Sequence, residues 1–141
     1  MSQSLRQALG CFATGVTIVT TRHGGEHYGM TCSSFNAVSL EPPLVLWSLQ
    51  QRSSNREAYL HGGGYTVSVL SAQQSALAMH FASGSQAERF ARIDAQYAPS
   101  GRIIIPGCVA WFDCDLHQAV AAGDHDILLG AVQAFECRQE G

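Results

Sequence analysis

The sequence predicts a mainly β fold, an antiparallel sheet or closed barrel with helices packed outside. About six strand-like runs stand against two or three helix-like ones, and the strands come mostly as adjacent hairpins rather than alternating with helices. No GxGxxG or GxxxxGK[ST] string argues for a doubly wound sheet. A bound nucleotide would therefore be held by loops and strand ends.

The first element is a helix. Ser2 or Ser4 caps it, Leu5, Leu9 and Phe12 recur at helical spacing, and Thr14-Gly15 stops it after Ala13. Val16 to Thr21 is β-branched throughout and reads as a strand. Gly24-Gly25 turns the chain, and Tyr28 to Cys32 returns. In this second strand Tyr28, Met30 and Cys32 share one face, and Gly29 and Thr31 the other. Gly29 leaves room for a close approach. A polar loop follows and ends at Pro42-Pro43. Leu44 to Leu49 is apolar almost throughout, as a strand buried on both faces should be. Ser53 or Ser54 caps a helix that ends at the glycines 62–64. Tyr65 to Leu70 alternates as a strand, Ser71 to Ala82 has good helix propensity, and Gln86 to Phe90 adds a turn of helix. From Ile93 to Gly107 the prolines and glycine suggest a loop, with Ile103 to Ile105 tucked in. Cys108 to Val120 and Ile127 to Cys137 are long strands joined by a turn at 121–125, with Gly130 a bulge or close approach.

At 141 residues the chain is read as one domain, residues 1–141, long enough to bury a core. Charged residues make up only 13% against 46% hydrophobic, too few to cover the surface, so part of that surface should lie against another subunit or a ligand. A net charge of −3 without Lys/Arg runs argues against nucleic acid. No apolar run is long enough for a membrane span, and no signal peptide opens the chain. The five cysteines are odd in number and lack CxxC spacing, so a disulfide framework or structural zinc is not expected and a reducing cytoplasm fits. His23 and His27 have i,i+4 spacing but flank the Gly24-Gly25 turn, so no metal site is expected there.

Tyr28 to Pro43 gathers Thr31, Cys32, Ser33, Ser34, Asn36 and Ser39 beside a strand. Small neutral donors on a rigid strand suit an uncharged polar heterocycle or a phosphate, although Ser and Asn are also ordinary turn residues. Ser53, Ser54 and Asn55, flanked by Arg52 and Arg56, make either a phosphate cradle at a helix start or a plain capped surface helix. His125, between Asp124 and Asp126 in the last turn, has carboxylates at hand to fix its tautomer. Cys32 is more a small apolar filler than a nucleophile.

GVTIVTT, GMTCSSFNAVSLEPPLVL, RSSN, HFAS followed by RF, and AGDHDILLG occur in this order. Together they resemble the flavin reductase-like family, small NAD(P)H:flavin oxidoreductases that supply two-component monooxygenases, over nearly the whole chain. The resemblance implies an FMN-binding split barrel, a Greek-key β-barrel with two or three peripheral helices, working as a homodimer. It implies a flavin, FMN or FAD, lying along Thr31, Cys32, Ser33 and Ser34. Ser39 would sit near the ribityl chain or phosphate, Ser53 and Asn55 would hold the phosphate, and Phe81 and Ala82 would lie by the adenine of an FAD. His125, within the Gly123, Asp124, His125 turn, would face the nicotinamide of NADH or NADPH and is the candidate catalytic residue. Flavin and nicotinamide would be diffusible, and a monooxygenase component is the implied partner. A flavin-binding split barrel without turnover, or a module of this fold for another ligand, are the alternatives. Relatives often carry Asn or Gln at the position of Ser33, run on past the last strand, and have a Trp where Tyr97 stands in here.

Overall fold

The computed structural model describes residues 2–10 and 15–138. In chain order the elements are α1 (Ser2–Gly10), β1 (Thr17–His23), β2 (Glu26–Cys32), β3 (Asn36–Leu40), β4 (Pro43–Gln50), α2 (Arg56–His61), β5 (Gly64–Val69), α3 (Ser75–His80), α4 (Gln86–Ala91), β6 (Gln96–Tyr97), β7 (Ile103–Ile104), β8 (Ala110–Ala122) and β9 (His125–Cys137). Seven strands form one antiparallel sheet in the order β2-β1-β5-β8-β9-β4-β3, and β6 pairs with β7. The predicted extension of the first helix to Phe12 and Ala13 lies outside the described residues.

The sheet closes on itself as a split barrel. Its two ends meet where the loop after β2 reaches β4: the Ser48 N–H donates to the Ser34 hydroxyl at 2.8 Å. Inside lie Val19, Val45, Trp47, Leu49, Tyr65, Val67, Phe112 and Leu128. α2 sends Tyr59 into this core, where its hydroxyl donates to the Val19 carbonyl at 2.7 Å. Tyr65 donates to the Leu128 carbonyl at 2.9 Å, and a Cβ on Gly130 would stand 2.5 Å from that same hydroxyl. Gly130 is thus a close approach and not a bulge. The register shifts of the β8–β9 ladder fall between Asp113 and Cys114 and between Leu116 and Gln118.

A second layer covers the outer face of β1 and β5. Ile18, Leu70, Phe81, Ile103 and Ile105 pack there with Phe90. This explains why Thr17 to Thr21 are buried on both faces. Their hydroxyls are paired: Thr17 donates to the Cys32 carbonyl at 2.9 Å, Thr20 to Ile103 at 2.6 Å and Thr21 to Gly64 at 2.7 Å. Ile103 to Ile105 are tucked in as expected.

Two expectations need correction. The polar stretch after Cys32 is not all loop, since Asn36–Leu40 forms the edge strand β3. β4 is not buried on both faces: Val45, Trp47 and Leu49 point inward, whereas Leu44, Leu46 and Ser48 are half-buried. Their β9 partners Ala131, Leu129 and Ile127 are half-buried as well, so an apolar stripe runs down the outside of the barrel.

Candidate functional site

The main cleft lies on the seam of the barrel. Its volume is about 480 Å3, within the usual range for a small-molecule site. One wall is the end of β2 and the turn after it, Met30 to Ser34; β4 contributes Ser48 and Gln50; the segment before α2 contributes Ser53, Ser54 and Asn55. Phe81, Ala82 and Arg89 come from the helical layer, and His125 from the start of β9. Among the described residues no carboxylate lines it.

The β2 wall is held rigidly. Gly29 lets Phe81 and Phe90 pack on the strand, because a Cβ there would stand 2.9 Å from both rings. Its N–H donates to Gln86 Oε1 at 2.9 Å, and its carbonyl accepts from Arg89 Nη1 at 2.6 Å. The room that Gly29 leaves is therefore filled by the protein itself. The Thr31 hydroxyl donates to the Ala78 carbonyl, and the Thr31 N–H to Phe81 O at 3.4 Å. The Ser34 hydroxyl is engaged by Ser48 and by the Cys32 thiol at 3.1 Å. Thr31 and Ser34 thus shape the wall, while Ser33, Ser48 and Ser54 line the cleft with hydroxyls that are not part of that bracing. Cys32 is buried and packs with the core, as a filler would.

At the other end, His125 Nδ1 lies 2.7 Å from Asp124 Oδ1. That hydrogen bond holds the Asp124 carboxyl below the ordinary range. His125 is the first residue of β9, not a turn residue, so Asp126 points to the opposite face. Asp126 is buried and pairs with Arg56 Nε at 2.6 Å, and Gln51 Nε2 adds a contact at 3.4 Å. The Arg56 guanidinium keeps the Asp126 carboxyl below its usual pKa. This ion pair ties the start of α2 to the hairpin tip, so Ser53–Asn55 and His125 keep a fixed relation.

The structure gathers nine predicted residues around one cleft: Thr31, Cys32, Ser33, Ser34, Ser53, Asn55, Phe81, Ala82 and His125. Three others do not line it. Gly123 and Asp124 form the turn just before His125, and Asp124 borders a smaller hollow with Gln50, Gln51 and Arg52. Ser39 pairs with Leu44 at the far end of β4 from Ser48, roughly 13 Å away at the usual rise per residue. Its hydroxyl accepts from the Glu41 N–H at 3.3 Å, and it faces a groove shared with Arg6 and Leu9. The flanking arginines also fall outside: Arg56 is taken by Asp126, and Arg52 turns back on Gln50 Oε1 at 3.3 Å. Tyr97 rests beside His27, ring centroids 6.1 Å apart, away from the cleft.

Ser48, Gln50 and Arg89 were missed as site residues. Ser48 and Gln50 carried a weak signal, polar side chains at the end of an apolar strand. Arg89 stood within the RF pair but had no sequence neighbour to mark it.

A split barrel with a donor-lined cleft on its seam, Arg89 at one side, has the shape and polarity to take a flat polar ring against a strand. The chain belongs to the flavin reductase-like family: the sequence model of the flavin reductase like domain matches residues 9–141. It is 43% identical over 131 residues to the FMN reductase (NADH) SmoA of Agrobacterium fabrum, covering 93% of this chain and 74% of SmoA. It is 41% identical over 135 residues to a probable flavin reductase of Rhizobium meliloti, spanning 95% of this chain but only 43% of that protein. Among solved structures, the NADH:FAD oxidoreductase SgcE6 of Streptomyces globisporus C-1027, in complex with NAD and FAD fragments, superposes with a TM-score of 0.82 at 38% identity, covering 94% of this chain and 80% of that one.

Proposed function

We propose that the protein is an NAD(P)H:flavin oxidoreductase, a single flavin reductase-like domain that accepts FMN or FAD and supplies reduced flavin to a partner monooxygenase. One observation carries this reading beyond the family match: the seam cleft joins a rigid wall of neutral donors to His125, and among the described residues no carboxylate lines it. Such a lining suits an uncharged heterocycle that gains negative charge during reaction, because a carboxylate there would repel that charge. When both are bound, the nicotinamide supplies a hydride from C4 to flavin N5.

The chain's own task is to hold and orient. Cys32, Ser33 and the backbone of the β2 turn offer a flat wall and N–H donors to the ring. Ser53 and Asn55, with Ser54 between them, are the polar groups for a phosphate; the Ser53 hydroxyl also accepts from the Asn55 N–H at 3.2 Å. His125, oriented by Asp124, faces the nicotinamide from the hairpin tip. Hydride transfer requires no proton donor or acceptor, so the His125–Asp124 pair serves to orient the ring that faces it.

A homodimer fits the outer stripe of Leu44, Leu46, Ile127 and Leu129, which is half-buried in one chain. Ser48, Gln50 and His125 lie on that same face, so a second copy would border the cleft. A Leu129→Glu variant that sediments like the parent would remove this surface from consideration. Cys32, Cys108 and Cys114, buried and outside any disulfide, support a cytoplasmic setting, and no described helix is long and apolar enough to cross a membrane.

Turnover is tested by mixing the protein with FMN or FAD and NADH or NADPH and following the nicotinamide absorbance. Oxidation with at least one pair is expected. No oxidation with any pair overturns the assignment, and a protein that binds flavin but is inert to NAD(P)H would be a flavin carrier instead.

A further inference from the structure

Arg89 is the arginine that the fold places in the cleft, and it has no role in the reading above. Its guanidinium is held by two neutral groups, with Nε donating to the Ser83 carbonyl at 3.0 Å and Nη1 to the Gly29 carbonyl at 2.6 Å. Those two bonds fix its plane and leave further N–H groups available, since an arginine carries five. Among the described residues no carboxylate lies within ion-pairing distance of it. Its charge is therefore uncompensated, half-buried and preorganised. The contrast with Arg56, which Asp126 neutralises, is sharp. The cation and the Ser53–Asn55 run border the same cleft, with neutral donors on one side and a full positive charge on the other.

We propose that Arg89 binds a phosphate group of the nucleotide that occupies this cleft, with Ser54 and Asn55 as its neutral partners. This rests on the flavin reductase reading and names the residue that would discriminate phosphorylated from unphosphorylated ligands. A guanidinium pre-tethered through one edge offers its remaining N–H groups to phosphate oxygens at little entropic cost. The phosphate belongs either to the flavin or to the nicotinamide dinucleotide, and both sources share this chemistry.

The test uses the full chain and its Arg89→Gln and Arg89→Lys variants. Flavin fluorescence quenching gives the affinities for riboflavin and FMN, and steady-state kinetics compares NADH with reduced nicotinamide riboside. The expected result is a loss of roughly 10- to 100-fold in FMN affinity in R89Q, the scale of a charged hydrogen-bonded contact, with partial recovery in R89K. Riboflavin affinity should change less than about twofold, within ordinary mutational scatter. FMN binding should weaken with ionic strength in the parent and less so in R89Q. A loss confined to NADH, with the riboside and FMN unchanged, also supports the proposal and assigns the phosphate to the nicotinamide substrate. Equal losses for riboflavin and FMN overturn it, because Arg89 would then only prop the Gly29–Ser83 wall or meet the ring. No change in any affinity overturns it as well. A parent protein that binds no flavin and oxidises no NAD(P)H sinks the underlying function, which is distinguishable from a parent that binds FMN and an R89Q variant that does so equally well.

Discussion

Among the described residues two carboxylates are buried, Asp113 and Asp126, each paired with an arginine, and they are built differently. Asp113 accepts from the Thr66 hydroxyl at 2.7 Å, from the Ser100 hydroxyl at 2.7 Å, from the Ser100 N–H at 3.0 Å and from Arg102 Nη1 at 3.1 Å. Its arginine is buried with it, the side chains being 10% and 4% exposed. Asp126 has Arg56 and Gln51, and its arginine side chain is 40% exposed. Asp113 lies beneath the loop that carries Ile103 to Ile105 over β5, far from any cleft residue in its contacts. Asp126 joins the start of α2 to the hairpin tip that carries His125. The same pair of residue types therefore serves cohesion at one place and site geometry at the other, and the difference is solvent. A fully enclosed pair cannot lose one member without stranding a charge, whereas a half-exposed arginine can turn to water.

Asp113→Ala should have the largest effect. It strands Arg102 and leaves Thr66 and Ser100 without their acceptor, so a loss of about 3–5 kcal/mol is expected in denaturant unfolding. A loss below about 1 kcal/mol would erase the distinction between the two pairs, since that is the scale of an exposed one.

Asp126→Asn comes next. It should destabilise less than Asp113→Ala and raise the KM for flavin several-fold, because Ser53–Asn55 lose their tie to β9. It also has a pH signature. Arg56 holds the folded-state pKa of Asp126 below its unfolded value. The pair's stabilisation is therefore present above the ordinary carboxylate pKa of about 4 and is lost as pH falls through the lowered folded value. Parent and variant unfolding curves should converge in that acid window. Curves that stay parallel from neutral pH to about pH 2, below the ordinary carboxylate range, would show that Asp126 contributes no titrating stability.

The smallest effect on stability is expected from His125→Ala. The imidazole is 37% exposed and its partner Asp124 95% exposed, so the fold should change by no more than about 0.5 kcal/mol. The KM for NAD(P)H should rise roughly tenfold, equivalent to about 1.4 kcal/mol, and by more than the KM for flavin. A larger rise for flavin would reject the nicotinamide-facing role. Thermal denaturation measured beside the kinetics separates this variant from Asp126→Asn.

The hairpins were legible because their signals are local. Gly24-Gly25 turns β1 into β2 at positive φ, and the β-branched run after Val16 needs no distant residue to be a strand. The donor stretch at Thr31 to Ser34 and the Ser53–Asn55 run were legible for the same reason, as dense polar side chains at the ends of apolar strands. Strand β3 was hidden because Asn36 and Ser39 look like turn residues, and their pairing with β4 comes from the ladder rather than from propensity. Arg56 looked like a phosphate ligand because it adjoins Ser53–Asn55. Its partner Asp126 lies 70 positions away, and no local pattern announces it. Arg89 had the opposite fate, invisible beside Glu88 and Phe90 until α4 was laid against Gly29.

By itself, the sequence determined the β-rich class, the hairpin order, and the two polar stretches that flank the cleft. Each depends on periodicity, turn chemistry or composition within a few residues. Only the tertiary structure decided which of those polar groups remain available. Closing the barrel commits the Thr31 and Ser34 hydroxyls to Ala78 and Ser48, carries Ser39 to the far end of β4, and sends Asp126 to Arg56. What it leaves in the cleft is set by charge compensation across the fold: Asp126 pairs with Arg56, and among the described residues no carboxylate pairs with the half-buried Arg89, whose charge is thus left for a ligand.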